Sequence, residues 1–192
     1  MMKFVLPVLF FSINAVAGLN IGATLPKGDV AMKGVDGKTY KLEDAVKDKK
    51  GALVIFTCNT CPYAKAWKDR ITEIGKDAES KGLAVVLINS NDSSKNKAED
   101  MAAMKTQFMP VPYVVDATSD VARAFGAEKT PDVFLFDKNK KLVYKGAVDD
   151  NSEDAKAVKS PFLKTAINQL LAGEPVKPAE TKSVGCGIKF RK

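Results

Sequence analysis

Residues 51–71 constrain this chain more than any other stretch. Ala52-Leu53-Val54-Ile55-Phe56-Thr57 is an apolar, β-branched run that reads as a buried strand. Pro62-Tyr63-Ala64-Lys65-Ala66-Trp67-Lys68-Asp69-Arg70-Ile71 reads as the start of a helix. Between them stands Cys58-Asn59-Thr60-Cys61. Two thiols at that spacing, at a strand-to-helix junction, can close a small disulfide loop. Free N–H groups and the macrodipole at a helix N-terminus favour a thiolate there. The thiolate is the reactive form of cysteine, so position and chemistry agree.

The surrounding pattern sets the fold class. Asp29 to Met32 and Lys38 to Leu42 flank Val35-Asp36-Gly37, a hairpin signal. Leu42 to Val46 makes a short helix. After the cysteine motif, Ala64, Trp67, Ile71, Ile74 and Ala78 recur at helical spacing and form one apolar face. Gly82 breaks that helix. Leu83 to Ile88 is too apolar to alternate, as in a strand of a parallel sheet buried on both faces. Asn89 to Asn96 is a polar loop, and Lys97 to Phe108 reads as one helix with Met101 and Met104 as core residues. Tyr113 to Val115 is a short strand, and Val121 to Phe125 a short helix closed by Gly126. Asp132 to Phe136 and Leu142 to Gly146 form an antiparallel hairpin. Ser160, as N-cap, and Pro161, at the first helical position, open a closing helix that ends at Gly173. Glu174 to Ser183, rich in Pro, Lys and Glu, reads as extended. The expectation is an α/β fold: a central mixed sheet flanked by helices, with an N-terminal hairpin extension.

The ends of the chain differ from this core. Met1-Met2-Lys3 is a short basic start, Phe4 to Ala17 is largely apolar, and Ala15-Val16-Ala17 fits a small-x-small cleavage site. Residues 1–17 therefore read as a secretory signal, which implies a periplasmic or secreted protein and no membrane span after cleavage. The domain is expected over residues 18–173, and residues 174–192 as a tail carrying Cys186. Disulfides persist in exported compartments. Three cysteines leave one thiol over if Cys58 and Cys61 pair. The formal charge is +7, but the lysines are scattered without an aromatic-interleaved stripe, so no nucleic-acid partner is expected. The chain contains no histidine. A Cys–His pair, a Ser–His–Asp triad and any His-bearing metal site are thereby excluded.

At residues 54–62, 130–137 and 142–146 the chain resembles the thioredoxin-like superfamily. Those segments read Val54-Ile55-Phe56-Thr57-Cys58-Asn59-Thr60-Cys61-Pro62, Thr130-Pro131-Asp132-Val133-Phe134-Leu135-Phe136-Asp137 and Leu142-Val143-Tyr144-Lys145-Gly146. Within the superfamily it is similar to exported proteins of the redoxin branch, which includes peroxiredoxins and thiol–disulfide oxidoreductases. The resemblance implies a cis Thr130–Pro131 bond facing the cysteines, with Pro131 part of the catalytic centre and Thr130 a substrate contact. Trp67 is a further candidate for substrate contact, beside its place on the apolar helix face. From position, Cys58 is expected to be the exposed nucleophile, and Cys61, a turn inside the helix, the resolving thiol. The implied partners are protein or small-molecule disulfides and an upstream electron donor. No cofactor is expected.

Two other readings remain open. Peroxiredoxins carry a Thr three residues before the reactive Cys. Cys61-Pro62 resembles that end of their motif, but Cys58 stands at the Thr position and Lys129-Thr130-Pro131 stands where an Arg is expected. Arg70 and Arg123 are possible substitutes. Three thiolates also suit Cu(I), which gives a copper-carrier reading, although no histidine is available to complete such a site. Cys186, between Gly185 and Gly187, is either a third redox thiol that folds back to the pair or a tail thiol that packs locally or pairs between chains.

Overall fold

The computed structural model describes residues 18–107 and 109–192. The expected signal, residues 1–17, and Phe108 lie outside the described residues. The elements in chain order are β1 (Met32–Gly34), β2 (Thr39–Tyr40), α1 (Leu42–Ala45), β3 (Gly51–Phe56), α2 (Pro62–Ser80), β4 (Ala84–Asn89), α3 (Met101–Lys105), β5 (Tyr113–Val115), α4 (Asp120–Phe125), β6 (Lys129–Thr130), β7 (Asp132–Asp137), β8 (Leu142–Gly146), α5 (Phe162–Ala172) and β9 (Cys186–Gly187). Seven strands form one sheet in the order β2-β1-β5-β4-β3-β7-β8. The central trio β3, β4 and β5 is parallel, and the flanking strands run antiparallel. Strands β6 and β9 pair separately.

The apolar runs become central strands because both sheet faces are covered. Val54 and Phe56 pack on one side with Val121 and Phe125 of α4 and Leu42 of α1. Leu53 and Ile55 pack on the other with Trp67 and Ile71 of α2 and Leu163 and Ile167 of α5. This is the two-residue period of a strand, with helices on each face. Phe125 meets Phe56, Phe134 and Phe136 edge-on, with ring centroids 5.2, 5.2 and 5.7 Å apart. Such aromatic pairs add about 0.5–1.5 kcal/mol each beyond the area they bury.

Two boundaries depart from the sequence pattern. The helix expected over Lys97 to Phe108 is broken: a 3-10 turn at Lys97–Glu99 precedes α3. Asp100 sits between them in extended conformation, and its carboxylate accepts the Ala103 N–H at 2.8 Å, so it caps a new helix. Helix α5 begins at Phe162, with Pro161 rather than Ser160 at the N-cap position. The Asp150 carboxylate accepts the Lys159 N–H at 3.0 Å just before Ser160.

The last residues are extended and docked against the domain. Glu180 bridges to Lys145 of β8, and Thr181 donates to the Lys145 carbonyl at 3.0 Å. The Ser183 hydroxyl donates to Asp132 at 2.5 Å. Strand β9 then pairs with β6, which brings the end of the chain to the C-terminal edge of β3, where the cysteine motif lies.

Candidate active site

Strand β3 ends at Phe56, and the chain passes through Thr57 into the cysteine loop. Helix α2 starts at Pro62, which makes Cys61 its N-cap. Pro at the first helical position fixes this start, because its missing N–H has no partner to lose there. Cys61 was expected a turn inside the helix; it stands at the N-cap position instead, with no capping hydrogen bond to its side chain.

Cys58 and Cys61 are both reduced, and they are 7% and 3% exposed. They open into a cavity of about 470 Å³ also lined by Thr60, Asn91, Lys95, Glu99 and Cys186. The Thr130–Pro131 bond is cis, and Pro131 is buried. The Thr130 hydroxyl lies 3.3 Å from Cys58 Sγ, and the Thr130 carbonyl oxygen 3.0 Å from Cys61 Sγ. Cys58, Cys61 and Ala64 form a buried cluster with Cys186 packed against it. The fold therefore brings together Cys58, Cys61, Thr130, Pro131 and Cys186.

The two thiols of the motif differ electrostatically. The Cys61 thiol is pushed well below the usual range, first by a hydrogen bond from Cys58, then by Cys186, the Ala64 N–H and the Thr130 hydroxyl. Burial opposes the shift. The Thr130 carbonyl opposes it too, since a thiol can donate to that oxygen and a thiolate cannot. The balance of these shifts makes Cys61 the more acidic of the two thiols. Cys58 is pushed up, first by its bond to Cys61, then by burial and the nearby charge of Glu99. Cys186 is also pushed up, by burial and then by Cys61.

Glu99 is the residue that the sequence did not single out. It is 3% exposed, and its carboxylate accepts the Asn59 N–H and the Thr60 N–H, each at 2.9 Å, together with the Thr60 hydroxyl. The Asn89 side-chain amide donates to it at 2.9 Å. Tyr113 donates to Asn59 Oδ1 at 2.9 Å, and the Asn59 amide donates to the Ala98 carbonyl at 2.8 Å. The two residues between the cysteines are thus fixed by one buried carboxylate and its neighbours.

Trp67 does not join the site. It is 2% exposed, and its Nε1 donates to Asp149 at 2.7 Å within the α2–α5 core. The substrate contact expected of it is corrected on that ground: Asp149 binds the indole N–H, and packing covers the ring. Arg70 is also held by Asp149 and by the Asn151 and Ser152 carbonyls. Arg123 is held by the Thr118 and Arg191 carbonyls. Neither arginine lines the cysteine cavity; Lys95 and Lys189 do. Among the described residues, no group of three or more Cys, Asp or Glu side chains is arranged to hold a metal ion, and no helix is long and apolar enough to cross a membrane.

The profile of the redoxin family matches residues 20–160. The chain belongs to the redoxin family. Two solved structures match this redoxin over nearly its full length. A hypothetical protein from Sinorhizobium meliloti 1021 is 32% identical, with 91% of this chain and 97% of that one covered and a TM-score of 0.81. An uncharacterized conserved protein from Geobacillus kaustophilus is 33% identical, with 90% and 93% covered and a TM-score of 0.82. The pneumococcal exposed lipoprotein thioredoxin from Streptococcus pneumoniae, at 24% identity, shares the fold: 75% of this redoxin and 98% of that chain are covered, with a TM-score of 0.56. No curated protein gives a significant match. The fold is thioredoxin-like, a mixed sheet flanked by helices.

Proposed function

We propose that this redoxin is an exported thiol–disulfide oxidoreductase in which Cys61 attacks and Cys58 resolves. The carrying observation is the position of Cys61 as the N-cap of α2, with the cis Thr130–Pro131 turn beside it and its thiol pushed down relative to Cys58. The Cys61 thiolate attacks one sulfur of a substrate disulfide. A mixed disulfide forms, and the other substrate sulfur leaves as a thiolate that takes up a proton. Cys58 then loses its proton and attacks Cys61 Sγ. The substrate departs as a dithiol, and two electrons have passed from the Cys58–Cys61 pair to it. An external electron donor restores the pair.

Export rests on the basic, apolar and small-residue pattern of residues 1–17 and agrees with a surface lipoprotein among the structural neighbours.

One observation favours a second reading. A reactive cysteine at a helix start, followed by Pro62, is the arrangement of a thiol peroxidase, with Cys61 attacking a peroxide oxygen. Against it, Cys58 occupies the Thr position and no arginine lines the cavity. Losing such polarising donors costs about 10²–10³-fold in rate each. Reduction of a model peptide disulfide and of hydrogen peroxide, measured with the same reductant, separates the two. The oxidoreductase reading expects the higher catalytic efficiency on the disulfide. A far higher efficiency on peroxide, abolished by Cys61→Ser, would replace it with the peroxidase.

A further inference from the structure

Cys186 is the thiol that this exchange leaves unused, and the fold goes to some length to place it. Strand β9 pairs Cys186 with Thr130, the residue before the cis proline. On its C-terminal side, Ile188 donates to the Glu128 carbonyl at 2.9 Å, Lys189 donates to Asn91 Oδ1 at 2.8 Å, and Asp92 donates to the Lys189 carbonyl at 2.7 Å. On its N-terminal side, a Cβ at Gly185 would lie 2.3 Å from the Thr130 carbonyl oxygen, so the strand can approach this closely only with glycine there. The result is contact of Cys186 with the buried pair. Cys58 and Cys61 are buried, whereas Cys186 is half-exposed.

We propose that Cys186 carries the disulfide from the buried pair to the surface. In oxidised protein it attacks Cys61 of the Cys58–Cys61 disulfide and leaves a Cys61–Cys186 disulfide that an external dithiol can reach. The inference rests on the oxidoreductase reading and extends it to the return half of the cycle. In the first step Cys186 gives up its proton and its sulfur bonds to Cys61 Sγ. The Cys58–Cys61 bond breaks, and Cys58 leaves as a thiolate that takes up a proton. No electrons are gained or lost, because one disulfide replaces another. The Thr130 hydroxyl, 3.3 Å from Cys58 Sγ, is placed to donate to that departing sulfur.

In the second step a thiolate of the external dithiol attacks Cys186 Sγ, and Cys61 leaves. Cys61 is the thiol whose pKa the site lowers, and a thiol of low pKa is the better leaving group. The second thiol of the dithiol then closes its own disulfide and frees Cys186. Two electrons and two protons have entered the protein.

The test is disulfide mapping by mass spectrometry on the mature, full-length chain. Wild-type protein is oxidised with one equivalent of diamide, and Cys58→Ser is treated in parallel. The relay expects Cys61–Cys186 as a sizeable fraction in wild type and as the intramolecular disulfide of Cys58→Ser. A second measurement follows reduction of oxidised Cys186→Ser by dithiothreitol. The relay expects it to be slower than wild type by about tenfold or more. A Cys58–Cys61 disulfide alone in wild type, with Cys186 linked only between chains in Cys58→Ser, would overturn the relay and leave the oxidoreductase reading standing. The absence of any intramolecular disulfide would overturn both.

Discussion

The cysteine loop is held from two sides by segments that work in different ways. On one side, the connection between β4 and α3 reaches it through a single group, the Glu99 carboxylate, which takes the N–H groups of both residues between the cysteines. On the other, the C-terminal segment holds the Thr130–Pro131 turn and its neighbours through contacts spread over Ser183, Cys186 and Ile188, while its Lys189 bonds Asn91 and Asp92 at the start of the β4–α3 connection. The first arrangement concentrates its strength in one buried carboxylate; the second distributes it over several backbone and side-chain bonds. Concentrated polar anchoring is the more fragile, because removing one partner strands several buried groups together. Distributed anchoring yields one bond at a time.

Glu99→Ala is therefore expected to have the largest effect. It leaves the Asn59 and Thr60 N–H groups and the Asn89 amide without their acceptor, at about 1–3 kcal/mol for each group left buried and unsatisfied. Denaturant unfolding should show a loss of about 3–5 kcal/mol, and disulfide exchange should slow because the loop is no longer fixed. Glu99→Gln keeps one acceptor oxygen and should lose less. A Glu99→Ala variant as stable as wild type would break the contrast between the two sides.

Gly185→Ala comes next. The added methyl meets the Thr130 carbonyl, so either the strand or the turn must move, and about 1–3 kcal/mol of stability should be lost. Faster hydrogen exchange should be confined to β6, β9 and the residues that follow. Exchange spreading past Asn91 and Asp92, which Lys189 bonds, to Glu99 and the cysteine loop would show that the two sides are not independent.

The smallest effect is a pH dependence on the C-terminal side. Burial pushes the Asp132 carboxyl up from 3.8 to about 6, against hydrogen bonds from Ser183 and the backbone of Glu128 and Lys129. The folded state therefore holds this proton more tightly than the unfolded chain. The ionised carboxylate costs stability above about pH 6, and the cost disappears as pH falls toward about 4. The melting temperature of wild type should gain from this group as pH is lowered through that window. Asp132→Asn should lack the gain, and a variant with the full wild-type pH profile would assign the dependence elsewhere.

Much of this architecture was legible in the sequence, and the failures share a cause. Strands β3 and β4 announced themselves as continuous apolar runs because both of their faces are covered. The cis Thr130–Pro131 turn followed from the resemblance. Glu99 was not legible: its partners lie 39 and 40 residues away in sequence, and Asn96 three residues before it imitates a helix cap. The expectation that Cys61 lies a turn inside the helix misplaced the start of α2. Pro62 carried that signal, since proline favours the first helical position, and Cys61 just before it becomes the cap. Trp67 lay on the correct helix face, but only its bond to Asp149 shows that it is covered. Composition marked the tail as extended. Its docking depends largely on backbone hydrogen bonds, which side-chain composition does not encode, and only the glycines beside Cys186 hinted at it.

The proposed function depends on Cys61 being the attacking thiol, its acidity set first by Cys58 beside it. Its most direct test is the pH dependence of alkylation of each cysteine in fully reduced protein, read by peptide mass mapping with a small uncharged reagent. At about pH 6 an ordinary thiol is almost wholly protonated and reacts slowly. The expected result is that Cys61 is modified first and keeps reacting at that pH, while Cys58 and Cys186 react only as the pH is raised. Modification of Cys58 first, with Cys61 silent until alkaline pH, would contradict the account and return the attacking role to Cys58.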